Sequence, residues 1–308
     1  MVKTIQVREL ISKNIKSTKN KYVDKLMPYI FFVAASISII TTIGIVYTLI
    51  FDGLKFFREV PLREIFSTRL APLASNPSFG ILPIINGTII TSIIAMCVAI
   101  PIGLSTAIYL SEYASDKVRK KIKPLVEVLA GIPTIVYGFF AYSFVTPLLM
   151  TIIPDLGAKN ALSPGIVMGI MITPLVASLS EDAMNSVPNE MREGALALGS
   201  TKLEVTFKVV IPAAISGIIA SFVLGISRAV GETMIVVIGS GSSKNFTFDI
   251  TQSMQTMTAY IVEFTSGDAG SGTLGYYSLY AVGLLLFVFT LLMNLLAQYI
   301  SRKYREEY

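Results

Sequence analysis

The sequence predicts an all-α, polytopic membrane protein with six transmembrane helices. Three observations carry that prediction. Apolar residues make up 53% of the 308-residue chain and charged residues only 15%. The apolar residues come in long blocks, several of them long enough for a helix that crosses a bilayer. The basic residues gather between those blocks, with a bias toward one side.

In chain order, residues 1–28 form a basic tail with seven Lys/Arg. Its Lys13–Lys25 stretch suits either an anionic membrane surface or a plain cytoplasmic tail. Some 28 mostly polar residues ahead of the first apolar run make a poor signal peptide. The transmembrane part is expected over 29–300. Its first span is 29–51, which is 23 residues without a charge. In 52–83, Phe56, Phe57, Leu62, Ile65 and Phe66 alternate with charges, which predicts a short amphipathic helix before a proline-marked link. The second span, 84–110, carries small and hydroxyl residues suited to close helix contact, and Pro101 should kink it. Residues 113–124 read as a basic loop. The third span, 125–153, is interrupted by Gly131, Pro133 and Pro147, which predicts a tilt or a re-entrant start. The fourth is 164–180, and a loop over 181–212 follows it. The fifth is 213–238. A Gly/Ser/Thr-rich loop, 239–275, precedes the sixth span, 276–300, and a tail over 301–308 ends the chain. With both termini inside, the inner segments hold 18 of the 25 Lys/Arg and the outer loops 6; Arg228 lies within a span. The positive-inside rule therefore places the loop 181–212 and both termini in the cytoplasm, with the spans in the cytoplasmic membrane.

Residues 188–212 are too polar to span a bilayer and read as two short helices meeting at a turn. Pro188 suits a helix start, and Glu190 and Glu193 suit its positive end. Gly199 can take the left-handed conformation that ends a helix. Thr201 with Glu204 is a capping box that starts the second helix. Pro212 breaks or kinks the chain as it turns apolar again. Met191, Ala195 and Leu198 fall on one face of the first helix, an apolar knob rimmed by charge that would fit another protein's groove.

The composition also excludes chemistry. The chain has no histidine, which removes His-based general bases and His-ligated zinc sites. No Gly-x-x-x-x-Gly-Lys-Ser/Thr sequence is present, so the chain is expected to be a permease without an ATPase site of its own. The single cysteine, Cys97, sits in an apolar run and reads as a small buried packing residue. The sharpest intramembrane feature is Arg228 with Glu232, which fall at i, i+4 on one face of the fifth span. A charge at mid-membrane costs about 2.5–3.5 kcal/mol on insertion scales. Two readings stay open. The pair can be a structural ion pair, or it can line or gate an oxyanion path, with Arg228 as the anion's partner and Glu232 keeping it from trapping the anion.

Glu193-Gly194-Ala195, Gly199, Val209, Ile211 and Pro212 resemble the Glu-Ala-Ala, Gly, Ile-x-Leu-Pro loop of ABC importer permeases, with Gly194 in place of an Ala. Further blocks resemble permeases of the phosphate-specific ABC importer. These are Phe79 to Pro83, Leu129 to Phe140, Ser180 to Ala183, Arg228 to Met234 and Leu284 to Ala297. Of the two sister permeases, the Glu181-Asp182 block and Met234 resemble the PstC type rather than the PstA type. The resemblance implies a type I ABC importer permease fold. It implies a PstA-like sister permease, two PstB-like ATPase subunits that bind ATP and Mg, and an outer PstS-like phosphate-binding protein. It also implies ATPase coupling through Glu190, Met191, Glu193, Gly194, Ala195, Leu198, Gly199 and Pro212, and a transport role for Arg228 and Glu232. A permease for tungstate or molybdate is the nearest alternative, and an ATP-independent secondary anion transporter the alternative of another class.

Overall fold

The computed structural model describes residues 21–268, 270 and 272–303. Most of the basic tail and the last five residues lie outside the described residues. The chain divides into two units, 1–51 and 52–308. In the first, the uncharged block 29–51 lies within helix α1 (Lys21–Glu59), and its side chains are exposed nearly throughout. A helix that is apolar on every face matches hydrocarbon, not water.

The second unit begins with the end of α1 and is almost wholly helical. Leu62–Ile65 is a single turn, and Leu70–Ala71 pairs antiparallel with Ser78–Phe79. Helix α2 (Leu82–Ile108) closes in a π-helical turn, Tyr109–Tyr113. Helix α3 (Asp116–Gly131) is followed by α4 (Thr134–Phe140), which continues to Met150. Helix α5 (Leu162–Asn185) leads to α6 (Asn189–Ala197) and α7 (Lys202–Val205). Helices α8 (Ile215–Val230), α9 (Met234–Gly239), α10 (Met257–Glu263) and α11 (Leu274–Lys303) complete the unit. Among the described residues, α1, the α2 segment, α5 and α11 are each long and apolar enough to cross a membrane. Two further pairs pass the same test but are bent, α3 with Thr134–Met150 by 86° and Lys202–Ala213 with α8 by 70°. Counting each bent pair as one span, the second through α8 with its polar part, 202–210, left outside, gives up to six.

Helices α2 and α5 form the central contact, joined by α8. Their backbones approach closely at Gly169, where a Cβ would lie 2.6 Å from the Ala95 carbonyl oxygen. Bare backbone at such a position lets membrane helices pack without the help of water exclusion. Ala95, Met168, Met171, Ile172 and Ile235 are buried around that contact. A second buried cluster, with Met184, Val187, Val205, Val210 and Ile218, lies where α5 passes into α6. A third joins Phe56, Ile65, Phe79, Ile84, Tyr260 and Phe264.

Several elements differ from the sequence reading. Residues 113–124 are not a loop but the end of one helix and the start of α3, because Arg119 and Lys123 share the face turned to Glu181. The third span, by contrast, bends where expected, at Gly131–Pro133: Pro133 has no N–H to give, and Ile132 before it is in extended backbone. The Tyr137 hydroxyl donates to the Leu129 carbonyl at 2.8 Å across that bend. The segment 239–275 contains α10, started by the Thr256 hydroxyl, which accepts from the Ala259 N–H. In 52–83, α1 simply runs on to Glu59, and only one helical turn follows. Cys97 is exposed rather than buried; it lines a 490 Å³ apolar cavity bounded by α2, α8 and α11.

Candidate functional site

Local signals shape residues 188–212. Pro188 is extended and leads into α6. Gly199 has φ +88°, and the N–H groups of Gly199 and Ser200 donate to the Leu196 and Ala195 carbonyls, which would otherwise lack partners. The capping box forms: Glu204 N–H donates to Thr201 Oγ1 at 3.3 Å, and Thr201 N–H donates to Glu204 Oε2 at 3.0 Å. That backbone N–H, with Lys208 at 3.1 Å, holds the Glu204 carboxyl down at about 2. The bend falls at Ala214, just after Pro212.

The expected knob does not form as a unit. Met191 and Ala195 turn inward onto the cluster with Met184, Val187 and Val205. Leu198 is 89% exposed. It has already left the helix, with ψ 4°, so the i+7 extrapolation fails there. The outward surface instead carries Glu190, Glu193, Gly194, Leu196 and Leu198. A Cβ on Gly194 would meet nothing within 4 Å.

Sequence reasoning passed over Glu112 and Arg119 as site residues. Glu112, on the π-helical turn after α2, pairs with Arg192 of α6 at 3.0 Å. Glu181, fully buried in α5, pairs with Arg119 at 2.7 Å and with Lys123 at 3.3 Å. Lys123 also reaches Asp182 at 3.0 Å. Two cations around one buried carboxylate offset its desolvation. Arg119 and Lys123, four residues apart and opposite Glu181-Asp182, were the available signal.

Arg228 and Glu232 are not one helix face. Gly231 closes α8, so the 3.6-residue period stops before Glu232. Among the described residues no ion pair joins the two. Arg228 sits in the last turn of α8, where the negative end of the helix dipole favours a cation. It is exposed on the surface of the chain, and its Nη2 lies 3.7 Å from Met171 Sδ. Glu232 is nearly buried and its carboxylate accepts from the N–H groups of Met234 at 3.1 Å and Ile235 at 3.4 Å. Its carbonyl accepts from the Thr258 hydroxyl at 2.7 Å. Each charge thus rests on its own helix end, the cation at a C-terminus and the anion at an N-terminus.

A helical membrane unit with a break inside a span, an arginine beside it that has no ion pair among the described residues, and a polar helical turn at one end fits a transport permease. Residues 99–306 match the family described as "Binding-protein-dependent transport system inner membrane component", and the chain belongs to it. The "Probable ABC transporter permease protein YqgH" of Bacillus subtilis (strain 168) is 31% identical over 293 residues, 94% of each chain. The "Phosphate transport system permease protein PstC" of Mesorhizobium japonicum is 36% identical over 241 residues, 72% of this chain and 73% of that one. A solved bacterial ABC transporter involved in the import of the acidic polysaccharide alginate shares the fold. Its TM-score is 0.63 at 16% identity, over 92% of this chain and 98% of that one. The chain is therefore a multi-pass membrane protein with the type I ABC importer permease fold.

Proposed function

We propose that the chain is the PstC-type permease subunit of an ATP-driven importer that moves inorganic phosphate across the cytoplasmic membrane. The similarity to the phosphate permease over most of the chain carries this reading. The charge bias supports an orientation with both termini and residues 188–212 in the cytoplasm. There a PstB-like ATPase subunit, which binds ATP and Mg, docks on the surface of Glu190, Glu193, Gly194 and Leu198. Gly199 sets the turn that presents this surface. Met191 and Ala195 hold the segment from within, and Pro212 marks its end just before the bend at Ala214.

This chain's part in conduction centres on Arg228. Among the described residues this guanidinium, inside a span, has no carboxylate partner, so it needs water or a neighbouring subunit. It faces the path shared with a PstA-like sister permease, where its planar donors suit a tetrahedral oxyanion. Glu232 keeps the break in the span in place rather than pairing with Arg228. An outer PstS-like protein delivers phosphate. The chain hydrolyses nothing itself.

The test is phosphate uptake in proteoliposomes holding both permeases, the ATPase and the binding protein, with and without ATP. ATP-dependent uptake is expected. Uptake without ATP would make the chain part of a secondary carrier. Uptake of tungstate but not phosphate would keep the machine and change its cargo.

A further inference from the structure

One guanidinium in α6 reaches three separate elements. Arg192 Nη2 and Nε donate to Glu112 Oε1 at 3.0 and 3.3 Å, on the π-helical turn that closes α2. The same Nη2 donates to the Met184 carbonyl at 2.7 Å, and Nη1 donates to the Val187 carbonyl. Those carbonyls belong to the end of α5 and the residues just after it, where the regular helical donors run out, although the Met184 carbonyl also accepts from the Val187 N–H at 3.2 Å. Nη1 also reaches Asn189 Oδ1 at 3.4 Å. The side chains of Arg192 and Glu112 are only 16% and 7% exposed. They line a 630 Å³ polar cleft together with Arg119 and Asn185.

The apolar contacts of Met191 and Ala195 hold α6 against the bundle but do not fix its direction, because apolar packing is non-directional. A planar fork with several oriented acceptors fixes both position and angle. Glu112 sits on a π-helical turn, a widened and less regular piece of helix of the kind found where function bears on a span. We propose that Arg192 is a positioning residue that makes α6 move as one body with the ends of α2 and α5. Motion of the docked ATPase then passes into the spans instead of being absorbed by the loop. This rests on the importer reading, and the experiment separates the two.

The complete complex is compared with Arg192→Gln, Glu112→Gln and the charge-swapped pair Glu112→Arg with Arg192→Glu. Three quantities are read: ATPase co-purification, phosphate moved per ATP hydrolysed, and the distance distribution between spin labels at Ala197→Cys and Tyr109→Cys in a Cys97→Ala background. In both single variants the ATPase stays bound, phosphate moved per ATP falls about tenfold, and the distance distribution broadens. The swap restores neither the transport nor the distribution, because a carboxylate at 192 cannot donate to the Met184 and Val187 carbonyls; recovery in the swap would reduce the role of Arg192 to the single ion pair and overturn the proposal. Loss of the ATPase from the single variants would make Arg192 a docking residue and overturn the proposal. An unchanged distance distribution would also overturn it, whatever the complex transports. A wild-type complex that moves no phosphate would count against the function alone, since the label distances still test the positioning role.

Discussion

Residues 188–212 and residues 228–232 both looked decisive in the sequence, yet they differ in how they reach their structures. The first segment is governed within a few residues. A proline starts a helix, a glycine at φ +88° ends it, and a threonine and a glutamate cap the next. The second is governed by its surroundings. Arg228 and Glu232 have the spacing of a helical pair, but the helix stops between them, and the Glu232 carbonyl is held by Thr258 from a distant part of the chain. Spacing predicts contact only while one helix continues.

The largest expected effect lies in the second region. Arg228→Gln should abolish phosphate uptake while the complex assembles and the ATPase co-purifies. Removing an exposed arginine that has no ion pair among the described residues leaves no buried charge orphaned there, so assembly has no reason to fail. Loss of assembly would show that Arg228 pairs across a subunit boundary, and the contrast between the two regions would then be one of partners rather than of helix continuity.

Next in size is Gly199→Val. Nothing lies within 4 Å of a Cβ built there, so the penalty is purely conformational. A β-branched residue held at φ +88° should cost about 1–2 kcal/mol and uncouple ATP hydrolysis from uptake, with insertion unchanged. Gly199→Asn, which tolerates that backbone region, should retain most coupling. Equal coupling in both variants would break the claim that this turn is set locally.

Most of the bundle was legible because a bilayer imposes one simple rule, that apolar blocks become helices. The blocks at 29–51, 84–110, 164–180 and 276–300 all lie within single helical segments, each of which continues past them. The breaks in spans three and five were less legible. Gly131 and Pro133 announce a weak point but not the size of the 86° bend, across which Tyr137 reaches back to Leu129. In the candidate site, the turn and the caps were readable, while the inward rotation of Met191 and Ala195 was not. It follows from the buried cluster at the end of α5, whose members lie from Ala107 to Ile218.

A smaller effect tests the role of Glu232 as a helix start. Glu232→Ala removes the acceptor for two N–H groups of α9 and should lower stability by about 1 kcal/mol, read as thermal unfolding in detergent. Glu232→Gln keeps an acceptor oxygen and should lose less. If Gln is as damaging as Ala to stability, the negative charge itself is needed, as the positive end of α9 would favour.

The smallest effect belongs to the capping box and carries a definite sign with pH. The Thr201 N–H and Lys208 lower the Glu204 carboxyl from its ordinary 4.5 to about 2 in the folded chain. Its contribution is therefore complete above the unfolded value and fades as pH falls from about 4.5 toward 2. Hydrogen exchange of residues 202–206, corrected for the intrinsic rate at each pH, should show protection falling across that window in the wild-type complex. Glu204→Gln should flatten the dependence, and Thr201→Ala should lower protection at every pH, by about 1 kcal/mol where the box is fully formed. If protection in Thr201→Ala matched the wild type, α7 would owe its start to the burial of Val205 and not to the box, and this turn would join residues 228–232 among the parts governed from outside.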